Sequence, residues 1–543
     1  MRATKFSPLL LIIPFFVLAW GFFNFYFFDA FYSRAIDPEY AYLINGLNVA
    51  LLEFNQIYHL DHPGTPFQVY CGLIIRITHL FTGKDAIAQD VFNRPEYYLS
   101  AINLSLIILQ SLLCFLIAWV GRKREIKTWQ LIVLQSGVLF NALMLWLFCR
   151  IIPDRWLVIV FLFFIIVYLL YGYRDRRPLK FAIWSGIIMG MGMATKFNFL
   201  PVLILPFLLI NSNKNRLIYA ITGVSSFFFF LLPIIKKIGY YRNFITSIAI
   251  HDGFYGEGEK RMFNFGKMKE SFFQIFEFAP ELGFIIFTSI AAIILAFIYR
   301  KRQRVDRQIL FFSGILFIIL LQMVMVAKHF KGYYLLPLIT VYPLVLFIFD
   351  DFIQKIGGYR KWTLAPVILL FIIFIGFSAK KTYIELKQEK GNIIQREAMR
   401  QYVSDNFASN TLWFVEPTWE SAPYIENGLV YGISHCFYLA DYLPELIKKN
   451  PNIITYEYSE EIVKIWRGYS VPVDSVVVTG TPIYILSTPQ RNAGALMGIL
   501  EKAAQKNNVI LNIGTAFSND NTQIIVVQNQ DSERAWDVSL FGF

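Results

Sequence analysis

The chain has 543 residues, of which 56% are hydrophobic and only 16% charged. A soluble globular chain carries about 25% charged side chains, so a purely soluble architecture is excluded. The formal charge of +12 is split unevenly: residues 384–543 hold 12 Lys+Arg against 18 Asp+Glu, net −6, and residues 1–383 hold the remaining 38 basic and 20 acidic side chains, net +18.

The basic excess therefore belongs to the apolar part, where it sets topology and meets anionic lipid. A nucleic-acid partner would need that excess on the soluble part, which is acidic, so no nucleic acid is expected. The four cysteines Cys71, Cys114, Cys149 and Cys436 are scattered without a CxxC pair, so neither a disulfide framework nor a zinc cluster follows.

The first apolar run, Pro8 to Phe28, is too long and aromatic for a signal peptide and lacks a small-residue cleavage site. It reads as an uncleaved span. Further spans are predicted near 97–120, 129–149, 153–172, 180–195, 198–211, 216–235, 281–299, 308–327, 334–350 and 362–379, about eleven in all. Basic clusters at Arg2/Lys5, Arg122 to Arg124, Arg174/Arg176/Arg177, Lys214/Arg216, Arg300 to Arg307 and Lys355/Arg360/Lys361 then all fall on one side. The positive-inside rule makes that side the cytoplasm. The expected organisation is a polytopic α-helical membrane module over 1–383 and an extracytoplasmic α/β domain over 384–543, in a bacterial inner membrane with the N-terminus inside.

The longer non-cytoplasmic segments are 32–96, 236–280 and the tail. Within the first, FQVYCGLIIRITHLF (67–81) carries Arg76 and His79 and is too short and charged for a comfortable span, so it is expected as an interfacial helix. In the tail, 411–415, 475–486 and 522–527 read as strands, and 421–429 and 493–506 as helices. No phosphate loop or nucleophile elbow is present.

Chemistry-bearing residues concentrate on the outer side. Asp37-Pro38-Glu39 follows the first span. It is either a solvated loop start or a base whose pKa rises by partial desolvation beside the bilayer. HLDHPGTP (59–66) offers His59, Asp61 and His62, a weak metal set in a stiff turn. Arg150, Asp154 and Arg155 lie in CRIIPDRW (149–156), where Asp154 could simply cap the next helix. Lys196 in GMATKFNFLP (192–201) either snorkels or meets a lipid phosphate. Lys328, His329, Tyr333 and Tyr334 occupy AKHFKGYYLLP (327–337), in which the tyrosines also suit an aromatic belt. HDGFYGEGEKR (251–261) supplies His251 and Tyr255 on a Gly-rich loop that could close over a substrate.

In order and placement these motifs resemble the GT-C superfamily of glycosyltransferases. The similarity is to the branch of the protein O-mannosyltransferases and lipid A aminoarabinose transferases, and it covers roughly residues 1–350. An acidic motif (Asp37, Glu39), an HPP-like element (His62-Pro63), a basic-acidic turn (Arg150 to Arg155), a TKF element (Thr195 to Phe197) and a late YLLP (Tyr334 to Pro337) follow in sequence. The chain departs from the pattern where Pro38 splits the acidic pair and Gly64 replaces a proline.

The resemblance implies inverting transfer of a sugar from a polyprenyl-phosphate donor to an acceptor (glycolipid, glycan or protein) at the outer membrane face. Asp37 would be the general base, with Glu39 and Asp154 the other catalytic acids. Lys196, Arg150, Arg155, Lys328, His329 and Tyr334 would face the donor phosphate, and His62, His251 and Tyr255 the substrates. No cofactor is implied, with a divalent metal left open. On this reading Asp37, Asp154 and Lys196 converge on one outer-face cavity. The alternatives are a transporter, a scaffold that presents the tail, or a lipid-linked polysaccharide polymerase or ligase.

Overall fold

The computed structural model describes residues 6–27, 38–60, 64–139, 141–253, 256, 258–299, 305–357, 365–407, 411, 413–415, 428–429, 432–433, 442–449, 453–459, 462–465, 469–478, 482–487, 493–520 and 523–529. Six of the described helices are long and apolar enough to cross a membrane: Pro8–Phe25, Pro95–Lys123, Pro153–Asp175, Glu281–Tyr299, Asp306–Lys328 and Gly332–Ile356. A pair bent by 71°, Asn213–Phe230 with Leu232–Ile250, would make a seventh. The chain is thus a polytopic α-helical membrane protein.

Every expected span holds helix, but several are broken. The segment 129–149 becomes Thr128–Gln135, a 3-10 turn at Ser136–Leu139 and the short helix Ala142–Trp146. Asn141 caps that last helix by accepting from Leu143 N. Pro201 and Pro206 divide 198–211 into a 3-10 stretch, Phe197–Leu203, and Ile204–Leu209. The last expected span opens the helix Ala365–Asn406, which runs on well past it.

The chain forms two compact units. The first comprises Met1–Phe22, His59–Tyr70 and Asn103–Ile384. Its helix Pro178–Thr195 packs closely on Asn213–Phe230 because both faces are small: a Cβ on Gly190 would stand 2.5 Å from the Gly223 carbonyl oxygen. Small residues are how helices approach one another in lipid, where no hydrophobic drive separates protein from solvent. Buried amides tie other elements, as where Gln135 Nε2 donates to the Leu10 and Cys114 carbonyls.

The second unit comprises Phe23–Tyr58, Cys71–Ile102 and Glu385–Phe543. It includes part of the helix Thr65–Thr82 that was expected over 67–81. Arg76 Nε caps the helix Glu39–Ala50 by donating to the Ala50 carbonyl, and Gly46 lets the Cys71 side chain pack at van der Waals distance. A seven-stranded sheet follows: β1 (Trp413–Val415), β2 (Ile453–Ser459), β3 (Ile462–Ile465), β4 (Tyr469–Pro472), β5 (Ile483–Ser487), β6 (Leu511–Ser518) and β7 (Gln523–Asn529). Its order is β4-β3-β2-β1-β5-β7-β6, with β1 parallel to both β2 and β5 and the outer pairs antiparallel. Met399, from the long helix, joins Trp413, Leu486 and Ile524 in its core.

The α/β character of the tail matches expectation, with one correction. The run 475–486 is not one strand: Val473–Val478 is helical and the strand begins at Ile483. Packing against the helix Gly494–Lys506 overrides the β preference of three consecutive valines. Most of the helix expected at 421–429 lies outside the described residues.

Candidate functional site

The site is built at two helix ends. Pro153 occupies the first helical position of Pro153–Val167, where its missing N–H costs nothing. Asp154 follows in the first turn, where the helix dipole favours an anion. The helix Pro178–Thr195 ends at Lys196, whose backbone is extended. Gly192 shapes that ending, because an added Cβ would lie 2.4 Å from the Phe199 ring. Phe199 is fully buried and tucks under the last turn, while Lys196 N still bonds the Gly192 carbonyl.

The two side chains meet. Lys196 Nζ donates to Asp154 Oδ2 at 2.7 Å, with the side chains 4% and 3% exposed. Nζ also lies 4.8 Å from the ring centroids of both Tyr333 and Tyr334, which pack edge-on at 84°. The Tyr334 carbonyl is held by Gln322 Nε2 at 2.8 Å and Asn198 Nδ2 at 3.4 Å. Gly64, in the left-handed region at φ 58°, donates its N–H to the Thr195 carbonyl at 3.1 Å. Four segments that are distant in sequence, around residues 64, 154, 196 and 334, thus share one locus.

An ammonium has three N–H donors, and among the described residues Lys196 Nζ donates to Asp154 alone. The rings cover the cation without consuming its other donors. Opposite charges hold each other in place here, and the remaining donor capacity suits an anionic group such as phosphate.

The other expected residues divide between this locus and a neighbouring one. Arg155 is buried, and its Nη1 serves Asn103 Oδ1 and the Phe148 and Arg150 carbonyls, so it braces the turn that presents Asp154. Arg150 lies over the Trp146 ring at 4.6 Å. Lys328 Nζ donates to the Ile248 and Ala249 carbonyls at 2.7 and 2.5 Å, capping the helix Ile238–Ile250. His329 approaches the Ile248 carbonyl at 3.5 Å. Its pKa is pushed down, chiefly by desolvation, with Lys328 adding to the shift. His251 Nδ1 lies 3.1 Å from the Ser247 carbonyl. Lys328, His329 and His251 therefore gather at that helix end rather than at Lys196.

Glu39 belongs to the second unit, in the first turn of Glu39–Ala50, where it is fully buried rather than solvated. Asp37, Asp61, His62 and Tyr255 lie outside the described residues. Among the described residues no group of three or more His, Cys, Asp or Glu is placed to hold a metal ion.

Sequence reading missed Gln322 and Asn198, which donate to the Tyr334 carbonyl, and Asn103, which accepts from Arg155. Each is an amide inside an apolar run, a signal in its own right, since such groups in a membrane helix must find partners. It also missed Glu281, which is buried and accepts from Asn141 Nδ2 at 2.7 Å.

The site and the basic clusters lie at opposite helix ends. Asp154 opens the span Pro153–Asp175, and Arg124 grips its far part through the Leu169 and Leu170 carbonyls. Lys196 follows the 18-residue helix that Arg177 precedes, a length of roughly 27 Å at about 1.5 Å per residue. Arg307, at the start of the span Asp306–Lys328, stands 3.7 Å from Asp175 at the far end of Pro153–Asp175.

No family model matches the chain, and comparison with curated proteins gives no match. Among solved structures, ArnT from Cupriavidus metallidurans in the apo state is similar with a TM-score of 0.46 and 12% identity, over 95% of this chain and 97% of that one. The same protein bound to undecaprenyl phosphate gives a TM-score of 0.44 and 10% identity over the same shares.

Proposed function

We propose that the chain is a membrane glycosyltransferase that moves a sugar from a polyprenyl-phosphate donor to an acceptor at the outer face of the membrane, inverting the anomeric centre. The observation that carries this reading is the buried Asp154–Lys196 pair beneath Tyr333 and Tyr334, at the helix ends opposite the basic clusters. A buried ion pair is costly to keep, and at the end of a membrane span it marks a candidate site.

In this mechanism the acceptor hydroxyl oxygen attacks the anomeric carbon, Asp37 takes the hydroxyl proton, and the bond from that carbon to the phosphate oxygen breaks. The lipid phosphate leaves carrying the developing charge. Lys196 meets that charge with its remaining donors, the electrostatic stabilisation that most lowers such barriers. Asp154 keeps Lys196 ionised and aimed. Arg155, Lys328 and His329 act by shaping the turns around them rather than by contacting the donor. By the positive-inside rule the site and the tail face away from the cytoplasm of a bacterial inner membrane. The sequence resemblance supplies the donor class and the role of Asp37.

The test is transfer by purified full-length protein from a panel of polyprenyl-phosphate sugars. Parent chain, Asp37→Asn and Lys196→Met are compared. The parent should turn over at least one donor, and each variant should lose 100-fold or more. Turnover by Asp37→Asn equal to the parent would remove Asp37 as the base, and no transfer from any donor by folded parent would sink the reading.

A further inference from the structure

The helix Phe265–Phe278 has three distinct sides. Met268, Ser271 and Ile275 are buried, where the helix packs on Asp306–Lys328. Glu270, Gln274 and Glu277 form a second, polar side. The third carries Phe265, Phe273 and Phe276, exposed by 79%, 70% and 40%. Lys269 stands four residues from both Phe265 and Phe273, so it sits in the middle of the aromatic side. Met262 and Phe263, just before the helix, extend the same apolar surface.

What covers this side follows from the chain on either end. Only Ala279 and Pro280 separate the helix from the span Glu281–Tyr299, whose Phe287, Ile290, Ile294 and Phe297 are exposed for contact with lipid. The helix therefore adjoins the end of a membrane span, two residues away. An aromatic side of this kind beside a charged, polar one matches a helix lying in the interface plane. The lysine stem lies along the rings while its head reaches the headgroup level.

We propose that the aromatic side of Phe265–Phe278 is seated in the leaflet on the site's side of the membrane, with Lys269 paired to the phosphate of a lipid headgroup. The seat bears on the site through its last residue. The Phe278 ring lies 6.3 Å from that of Phe330, and a Cβ on Gly332 would stand 2.3 Å from it. Tyr333 and Tyr334 come next in the chain, so lipid contact fixes one end of the segment that covers Lys196.

The experiment uses full-length protein in lipid nanodiscs. Phe273→Cys and Gln274→Cys are each labelled with an environment-sensitive fluorophore, and signal from the parent cysteines is subtracted. Lipids bearing a shallow nitroxide should quench the label at 273 several-fold more than that at 274, and equal quenching overturns the seat. Thermal stability is then compared in phosphatidylcholine with and without phosphatidylglycerol, using parent and Lys269→Gln. The parent should gain more stability from phosphatidylglycerol than the variant does. A gain of the same size in Lys269→Gln, or from inorganic phosphate in phosphatidylcholine discs, overturns the headgroup pairing. Because neither readout depends on transfer, failure of the seat and failure of the transferase reading are separately visible.

Discussion

At the scale of single residues, the Asp154–Lys196 pair makes the sharpest demand on energetics. Two charges taken out of water repay their desolvation only through each other. Asp154→Asn leaves a buried ammonium with no counter-charge and should cost about 3–5 kcal/mol, read as a lower unfolding temperature in detergent. Lys196→Met should do the same by stranding the carboxylate. The double variant removes both charges, so its loss should be clearly smaller than the sum, since contacting residues couple by about 0.5–3 kcal/mol. A simply additive double variant would mean the ion pair does not form. Gly192→Ala tests the support beneath the pair. Its methyl meets the buried Phe199 ring, overpacking of this kind costs typically about 1–3 kcal/mol, and transfer should fall although no reacting group is altered. The candidate residues were legible one by one because charges in apolar sequence stand out. Their grouping was not. Lys328 looks as good a phosphate ligand as Lys196 in sequence, and only the carbonyls of Ile248 and Ala249 distinguish it.

Elements show the same division between pattern and partner. Long apolar runs predict helices at every expected span, because hydropathy alone decides where a backbone must satisfy its own hydrogen bonds in lipid. It does not say where that helix breaks. The turn at Ser136–Leu139 and the cap at Asn141 depend on Pro343 packing against Gly137 and on the Glu281 carboxylate, both remote in sequence. The two ends of the loop between His251 and Phe265 are tied in a comparable way. Asn264 Nδ2 donates to Asp252 Oδ2 at 3.2 Å, and Arg261 stands 3.6 Å away. The Asn264 hydrogen bond, with Lys267 and Arg261 nearby, holds the Asp252 carboxyl below the usual aspartate range against its desolvation. A depressed carboxyl stabilises the closed loop above its unfolded pKa, about 4. That contribution fades as pH falls through the still lower folded value. Amide exchange in this loop should therefore be unchanged from pH 7 to 5 once corrected for intrinsic rates, and should quicken selectively below about pH 4. Asp252→Asn should exchange fast throughout, and a loop in that variant as protected as the parent's would show that the carboxylate does not hold it.

For the whole molecule, orientation depends on which helix ends share a side. Asp154 and Arg124 mark opposite ends of one span, Lys196 and Arg177 opposite ends of the helix Pro178–Thr195, and Arg307 pairs with Asp175 at the basic end. Several residues of the basic clusters, or beside them, do structural work in addition to setting orientation. Arg124 caps a helix, and Lys127 Nζ reaches Gln354 Oε1 at 2.7 Å next to the buried Gln130–Asp350 hydrogen bond. Removing them to invert the topology would therefore damage the fold as well, and reporters are the cleaner probe. A periplasm-dependent phosphatase fused after Asp175 should be inactive, and one fused after Phe543 active, since short basic loops are retained on the cytoplasmic side. The reverse pattern would place Lys196 and its tyrosines on the cytoplasmic side, where the proposed transfer does not occur, while leaving the ion pair and the helix arrangement intact. Equal activity at both positions would instead mean that the odd number of crossings expected between residue 175 and the tail is wrong by one, with the bent pair Asn213–Phe230 and Leu232–Ile250 the first segment to recount.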